Sequence, residues 1–501
     1  MTSAHVDTFA QDHLPPQEQW PDLLFNTPEL KALAAREQLN AAAELLDGAL
    51  ARGWGDRTCI IGGDTQWTYA QLRHKSLQVA QVLTQDMGLV PGNRVLLRAP
   101  NTPMMAACWL GVALAGGIAV ATMPLLREKE LRVIIDKAQI RHALCDAALS
   151  AELKSAAQGS SLSAIRWIHG SAGDALEPAM QAHDGRFSPV ATAATDTVCL
   201  AFTSGTTGVP KATMHFHRDL IAACLCWPEH VLKATHDDVF IGSPPLAFTF
   251  GLGGLLLFPM HVGASTVLLA QPSPPNLLEA INKHKATIVF TSPTSYRAMA
   301  GRGQELRGGT LRECVSAGEA LPAATRQLWL DSTGLLMLDG IGSTEMLHIF
   351  ISAPSAQSVP GATGKVVAGY EARIVNDQGA PVADGEIGKL AVRGPTGCRY
   401  LADERQKNYV QNGWNLTGDA YWKDAQGYFH YVSRTDDMIV SSGYNIGAPE
   451  VEDALMSHPA VAECGVIGVE DEERGQIVSA FVVLRPGHEG NEAMVRTLQD
   501  H

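Results

Sequence analysis

The chain has 501 residues, 46% of them hydrophobic, and a formal net charge of -14 from 38 Lys and Arg against 52 Asp and Glu. That length and apolar content predict a globular multidomain protein with large cores, and the acidic balance argues against a dedicated nucleic-acid or anionic-membrane surface, which needs a basic excess. Nine cysteines without a CxxC pair read as reduced thiols, and the N-terminus lacks a basic start and an apolar run, so a cytoplasmic protein is expected.

Residues 40–150 alternate helical patterns such as "TYAQLRHKSLQVAQVL" with short apolar runs such as "NRVLLRA", which predicts parallel α/β layers. Within them Met104 to Leu126 is an uncharged run as long as a membrane span. Pro103 can start a helix there, Gly116-Gly117 can end it, and "IAVATM" follows as a short buried strand, so a core element is expected instead. Residues 153–196 are richer in Ser, Gly, Ala and Asp and read as a looser connection. "TVCLAF" is then a buried strand running into "TSGTTGVPK", with the helix "RDLIAACLCWPEHVL" after it. "ATIVF" runs into "TSPTS" and "LLML" into "DGIGSTE", with the Gly-bearing "ECVSAGEAL" between them. Such loops at the carboxyl ends of strands predict one shared pocket. After about residue 360, Asp-Gly and Gln-Gly turns between alternating runs predict antiparallel strands, and the last segment returns to mixed strand and helix.

The loop from Thr203 to Lys211 suits an oxyanion. Gly205 and Gly208 let the backbone approach a ligand, Thr203, Ser204, Thr206 and Thr207 supply hydroxyls, and Lys211 supplies charge. A Walker A loop needs GxxxxGK followed by Ser or Thr, whereas Lys211 follows Val209-Pro210 and precedes Ala212, so the spacing rejects a P-loop kinase. His215 with His217 and Cys224 with Cys226 are pairs without a matching second pair, which favours packing over a metal.

Taken in order, "TSGTTGVPK", "SAGEAL", "DGIGSTE", "GKLAVRGP", "TGD" and "SRTDDMI" resemble the adenylate-forming (ANL) superfamily of acyl-CoA synthetases, nonribosomal-peptide adenylation domains and luciferases, across nearly the whole chain. Within it "PKATMHFHRD", "PPLAFTFGLG" and "DGIGSTEMLHIF" are most similar to benzoate-CoA ligases, and "HVDTFAQDHLPPQEQWPDL" to 2-aminobenzoate-CoA ligases. The implied fold is α/β: a large N-terminal domain (1–435) of two doubly wound α/β subdomains plus a β-rich subdomain, then a truncated small α+β C-terminal domain (436–501). The implied reaction joins an aromatic acid to coenzyme A through an acyl adenylate, consuming ATP with Mg2+ and releasing pyrophosphate and AMP. A homodimer is one assembly the resemblance allows.

Residue by residue, the resemblance makes Glu345 the magnesium ligand and puts the Thr344 hydroxyl at the α-phosphate. Asp419 and Arg434 match the ribose-binding pair, and Gly318, Glu319, Ala320, Asp339, Gly340 and Ile341 match the adenine site. Asp436 matches the hinge, and Gly443 and Tyr444 the loop brought to the coenzyme A channel. Phe248, Phe250, Gly251 and His348, with Ile341, are expected to form a flat apolar slot for the arene. The family ends in a Gly-Lys sequence whose lysine reaches the α-phosphate. This sequence stops at "MVRTLQDH" without it, and Lys389 and Lys423 lie before the hinge and are not its matches. The implication is adenylation weakened by roughly 10²- to 10³-fold, with thioester formation from a supplied adenylate retained. The alternative is a non-catalytic nucleotide and aryl-acid binding protein.

Overall fold

The computed structural model describes residues 3–171, 173–203, 210–441, 444–471 and 474–501, and these form four sheets. One six-stranded sheet runs in the order Ala164–Ile168, His142–Asp146, Arg94–Arg98, Ile118–Ala121, Thr197–Thr203, Lys211–Phe216. Its first five strands are parallel and the last pairs antiparallel, setting Thr203 opposite Lys211. A nine-stranded sheet has six adjacent parallel strands at its centre: Met337–Gly342, Glu313–Ser316, Ile288–Thr291, Val239–Gly242, Ser265–Val267 and Thr58–Gly62. These two sheets are the doubly wound layers that the helix and strand alternation predicts.

Local chemistry explains why the elements form where they do. Helix Tyr69–Gln81 opens on a capping box, in which the Thr68 hydroxyl accepts from the Gln71 N–H and the Gln71 side chain accepts from the Thr68 N–H. Helix Pro103–Leu114 has Thr102 as its cap and Pro103 in its first turn, and the chain leaves it through Gly116 at φ 71°. At about 1.5 Å per residue its 12 residues fall well short of a bilayer core, and it is buried by protein on nearly every side. Gly111 brings it against the neighbouring helix, since a Cβ there would lie 2.6 Å from Val79 Cγ1. Among the described residues, no helix is long and apolar enough to cross a membrane.

Two expectations need correction. Residues 153–196 are not merely a connection: strand Ala164–Ile168 adds the edge of the six-stranded sheet and helix Leu176–Gln181 follows it. Half-buried edge strands need no strong apolar run, which is why "AIRWI" carries a weak signal. The helix after Phe216 ends at Cys224, and a separate π-helical turn, Pro228–Leu232, follows, because Pro228 has no N–H to continue the ladder.

From Glu371 the sheets become antiparallel. Glu371–Val375, Gly388–Arg393, Val410–Gln411, Trp414–Lys423 and Phe429–Arg434 form one, and Ile439–Ser441, Tyr444–Ile446, Val461–Asp471 and Gly475–Leu484 form the last. The sheet changes across the short turn Thr435–Asp437, where Asp436 lies. The last sheet packs one face on helix Ala448–Ser457 around Ile439, Leu455 and Val466.

Candidate active site

The strand ends converge on a cleft of about 1810 Å³. Strand Thr197–Thr203 delivers Thr203 to it, and the antiparallel return delivers Lys211. The loop after Glu313–Ser316 delivers Gly318, Glu319 and Ala320, and strand Met337–Gly342 delivers Asp339, Gly340 and Ile341. Glu345, Asp419, Arg434 and Asp436 complete the lining taken from the expected residues. Ser204, Gly205, Thr206, Thr207, Gly208 and Gly443 lie outside the described residues. The backbone of Tyr444 starts the strand Tyr444–Ile446.

Glu345 is nearly buried, with 7% of its surface exposed, and its Oε1 accepts from the Tyr400 hydroxyl at 2.5 Å. That hydroxyl also accepts from Lys211 Nζ at 3.0 Å, and Lys211 lies 3.7 Å from Glu345 Oε1. Burial and the adjacent Glu345 carboxylate push the Tyr400 phenol far above its ordinary range, so it remains a hydroxyl. Thr344 sits between the lining residues Ser343 and Glu345, and its carbonyl accepts from His215 Nε2 at 2.8 Å. Burial lowers the His215 pKa to about 4, so this donor is neutral. Leu347 takes φ 71°, a left-handed backbone uncommon for leucine, and so turns the chain from Glu345 into strand Ile349–Ser352.

Asp419 and Arg434 are cross-strand partners, and Arg434 Nη1 donates to Asp419 Oδ1 at 2.9 Å and to the Thr417 carbonyl at 3.1 Å. Burial raises the Asp419 pKa and Arg434 opposes that rise. Gly418, just before Asp419, takes φ 81°, and a Cβ there would stand 2.7 Å from Arg434 Nη2. Asp339 is pushed up to about 7, by burial first, with Arg326 pulling it back. Glu319 accepts from Thr294 Oγ1 at 2.7 Å, which ties its loop to helix Pro293–Ala300.

Of the residues expected to hold an arene, Ile341 lines the cleft, whereas Phe248, Phe250, Gly251 and His348 do not. Phe248 is 44% exposed, His348 lies behind Gly342, whose Cβ position would meet the His348 backbone at 2.7 Å, and Gly251 packs on the Pro245 backbone. His348 is ringed by Phe258, Phe250, Trp227 and Phe290 at centroid separations of 4.5, 5.6, 5.6 and 6.4 Å. Its Nε2 lies 3.3 Å from the Phe250 carbonyl, so Nε2 carries the proton and Nδ1 a lone pair. Among the described residues, that Nδ1 and the nearby Trp227 Nε1 are buried without a hydrogen-bond partner. Burial drops the His348 pKa to about 3.

Several contributors carry no motif signal in the sequence, among them Tyr400, Tyr409, Arg326 and Arg297. His215 and His217 act separately: His217 Nδ1 accepts from the Ala41 N–H at 3.0 Å. Burial raises the thiol of Cys226 to about 12, and among the described residues no cluster of three or more His, Cys, Asp or Glu could hold a metal by itself.

Residues 49–400 match the AMP-binding enzyme family and residues 450–501 the AMP-binding enzyme C-terminal domain, so the chain belongs to the AMP-binding enzymes and is an AMP-forming acid-thiol ligase. It is 33% identical to the benzoate-CoA ligase of Thauera aromatica over 484 residues, covering 95% of this chain and 91% of that one. The 4-hydroxybenzoate-CoA/benzoate-CoA ligase of Rhodopseudomonas palustris is 32% identical, covering 89% of this chain and 84% of that one. Among solved structures, an anthranilate CoA ligase in complex with anthranoyl-AMP superposes with TM-score 0.87 at 32% identity, over 94% of this chain and 91% of that one. A benzoate CoA ligase from Burkholderia xenovorans superposes with TM-score 0.84 at 29% identity, over 92% of each.

Proposed function

We propose that this chain activates 2-aminobenzoate with ATP and passes the acyl group to coenzyme A. A carboxylate oxygen attacks the α-phosphorus of ATP, the bond to the β-phosphate oxygen breaks, and pyrophosphate leaves. The thiol of coenzyme A then attacks the acyl carbon, loses its proton, and AMP leaves. Lys211 meets the β- and γ-phosphates with the loop before it, and Thr344 lies at the α-phosphate. Asp419 and Arg434 hold the ribose, and Gly318 to Ala320 with Asp339 to Ile341 wall the adenine. Asp436 is the hinge between the domains 1–435 and 436–501, and Gly443 and Tyr444 face the coenzyme A thiol.

Glu345 is a single hard oxygen donor beside Lys211, which suits a magnesium ion shared with the nucleotide's own phosphate oxygens. Such an ion would neutralise charge on those phosphates. Cytoplasmic placement is supported by the free, mostly buried thiols.

The observation that carries the choice of acid is the unpartnered Nδ1 of His348 inside an aromatic enclosure. With Nε2 protonated, Nδ1 asks for a donor, and an ortho amino group supplies one whereas unsubstituted benzoate does not. Benzoate is the second reading, favoured by the apolar remainder of the enclosure. The test is a panel of 2-aminobenzoate, benzoate, hydroxybenzoates and phenylacetate, read as pyrophosphate release. The 2-amino acid should lead in kcat/KM, and His348→Phe should narrow its lead over benzoate by roughly tenfold. Equal loss on both acids in the variant would remove the assignment.

A further inference from the structure

Tyr400 lies in none of the motifs that place the nucleotide, yet its hydroxyl occupies the point between Lys211 and Glu345. Lysine and glutamate side chains this close, with nothing between them, draw into direct contact and neutralise one another. Here Lys211 Nζ and Glu345 Oε1 form a long ion pair at 3.7 Å, and the phenol accepts from the one and donates to the other.

The ring itself is fixed by the fold. Segment 399–401 pairs with strand Lys211–Phe216 through the Met214 N–H to the Arg399 carbonyl at 2.7 Å and the Leu401 N–H to the Ala212 carbonyl at 2.9 Å. The Gln406 side chain accepts from the Tyr400 N–H at 2.9 Å, and Tyr409 meets the ring edge-on at 5.8 Å. The ammonium of Lys211 lies 5.0 Å from the centre of the Tyr400 ring, which restrains its flexible stem.

We propose that Tyr400 is a positioning residue, a spacer that holds the phosphate-loop lysine and the metal-side glutamate apart and aimed, so that a triphosphate meets both as a preset pair. The inference rests on the assignment of Lys211 and Glu345 to ATP binding. Its consequence is selective: AMP lacks the β- and γ-phosphates and gains nothing from the spacer, whereas ATP gains both contacts.

Calorimetric titration of the full chain with ATP and with AMP, each with magnesium and without acid or coenzyme A, reads this directly. Tyr400→Phe keeps the ring and its packing, so AMP affinity should stay within about twofold while ATP affinity falls about tenfold. Lys211→Met alone should weaken ATP to a similar degree, and Tyr400→Phe added to it should cost less than about twofold more. Equal weakening of AMP and ATP, unchanged ATP affinity, or a full additive loss in the double variant would each overturn the spacer. Undiminished ATP binding in Lys211→Met would instead remove the assignment of the lysine itself, whatever Tyr400→Phe does.

Discussion

Asp339 shows how one side chain sets a pH response. Its carboxyl is raised by burial to about 7, so between the ordinary carboxylate range and neutrality the folded chain holds a proton that the unfolded chain has lost. The contribution of this group is therefore complete below about pH 4 and is lost as pH rises towards 7. Asp339→Asn should flatten that part of a stability profile measured by urea unfolding from pH 4 to 8, with a gain over the parent that grows towards pH 7. A gain independent of pH would contradict the assignment. Asp339, Lys211 and Glu345 were legible because their motifs place polar groups directly after apolar strands. Tyr400 was not, because "CRYLAD" has no such spacing and its hydroxyl reaches the site only through the pairing of 399–401 with a strand nearly two hundred residues earlier. The ring around His348 was half legible: Phe250 and His348 have motif neighbours, whereas Trp227, Phe258 and Phe290 arrive from separate elements.

Elements hold the site through a buried ion pair. Arg399 and Asp219 are both fully buried and in contact, and Arg399 lies 3.9 Å over the Phe216 ring. Asp219 also accepts from the Phe216 N–H at 2.9 Å, so one carboxylate joins the start of helix His217–Cys224 to the segment that carries Tyr400. Removing one partner leaves a charge in the core, and Asp219→Ala should cost about 3–5 kcal/mol in denaturant unfolding. Replacing both partners with Leu and Met should recover much of that loss. A single variant with an unchanged unfolding midpoint would show that the pair does not brace these elements. The strands that end at the site were readable from short β-rich runs followed by Gly, Ser and Thr. The edge strand Ala164–Ile168 was hidden because three of its five residues are only half-buried.

At the scale of the whole molecule, the segment after Asp436 closes over the cleft. Arg297 Nη2 donates to the Ala462 carbonyl at 2.9 Å, and Asp453 lines the cleft with Ala323, which begins helix Ala323–Thr333. Charge on Glu450, Glu452 and Asp453 thus lines the same cleft as Lys211 and Arg434. The sheet changes after Arg434, across the turn Thr435–Asp437 in which the resemblance puts the hinge residue Asp436. A family match over residues 49–400 and the strand-end geometry converge on carboxylate activation. The most direct measurement is mass spectrometry of the full chain incubated with ATP, magnesium and 2-aminobenzoate, before and after addition of coenzyme A. The proposed function predicts 2-aminobenzoyl-AMP and pyrophosphate first, then the thioester and AMP. Formation of ADP, or activation of long-chain fatty acids with none of the aromatic acids, would contradict it.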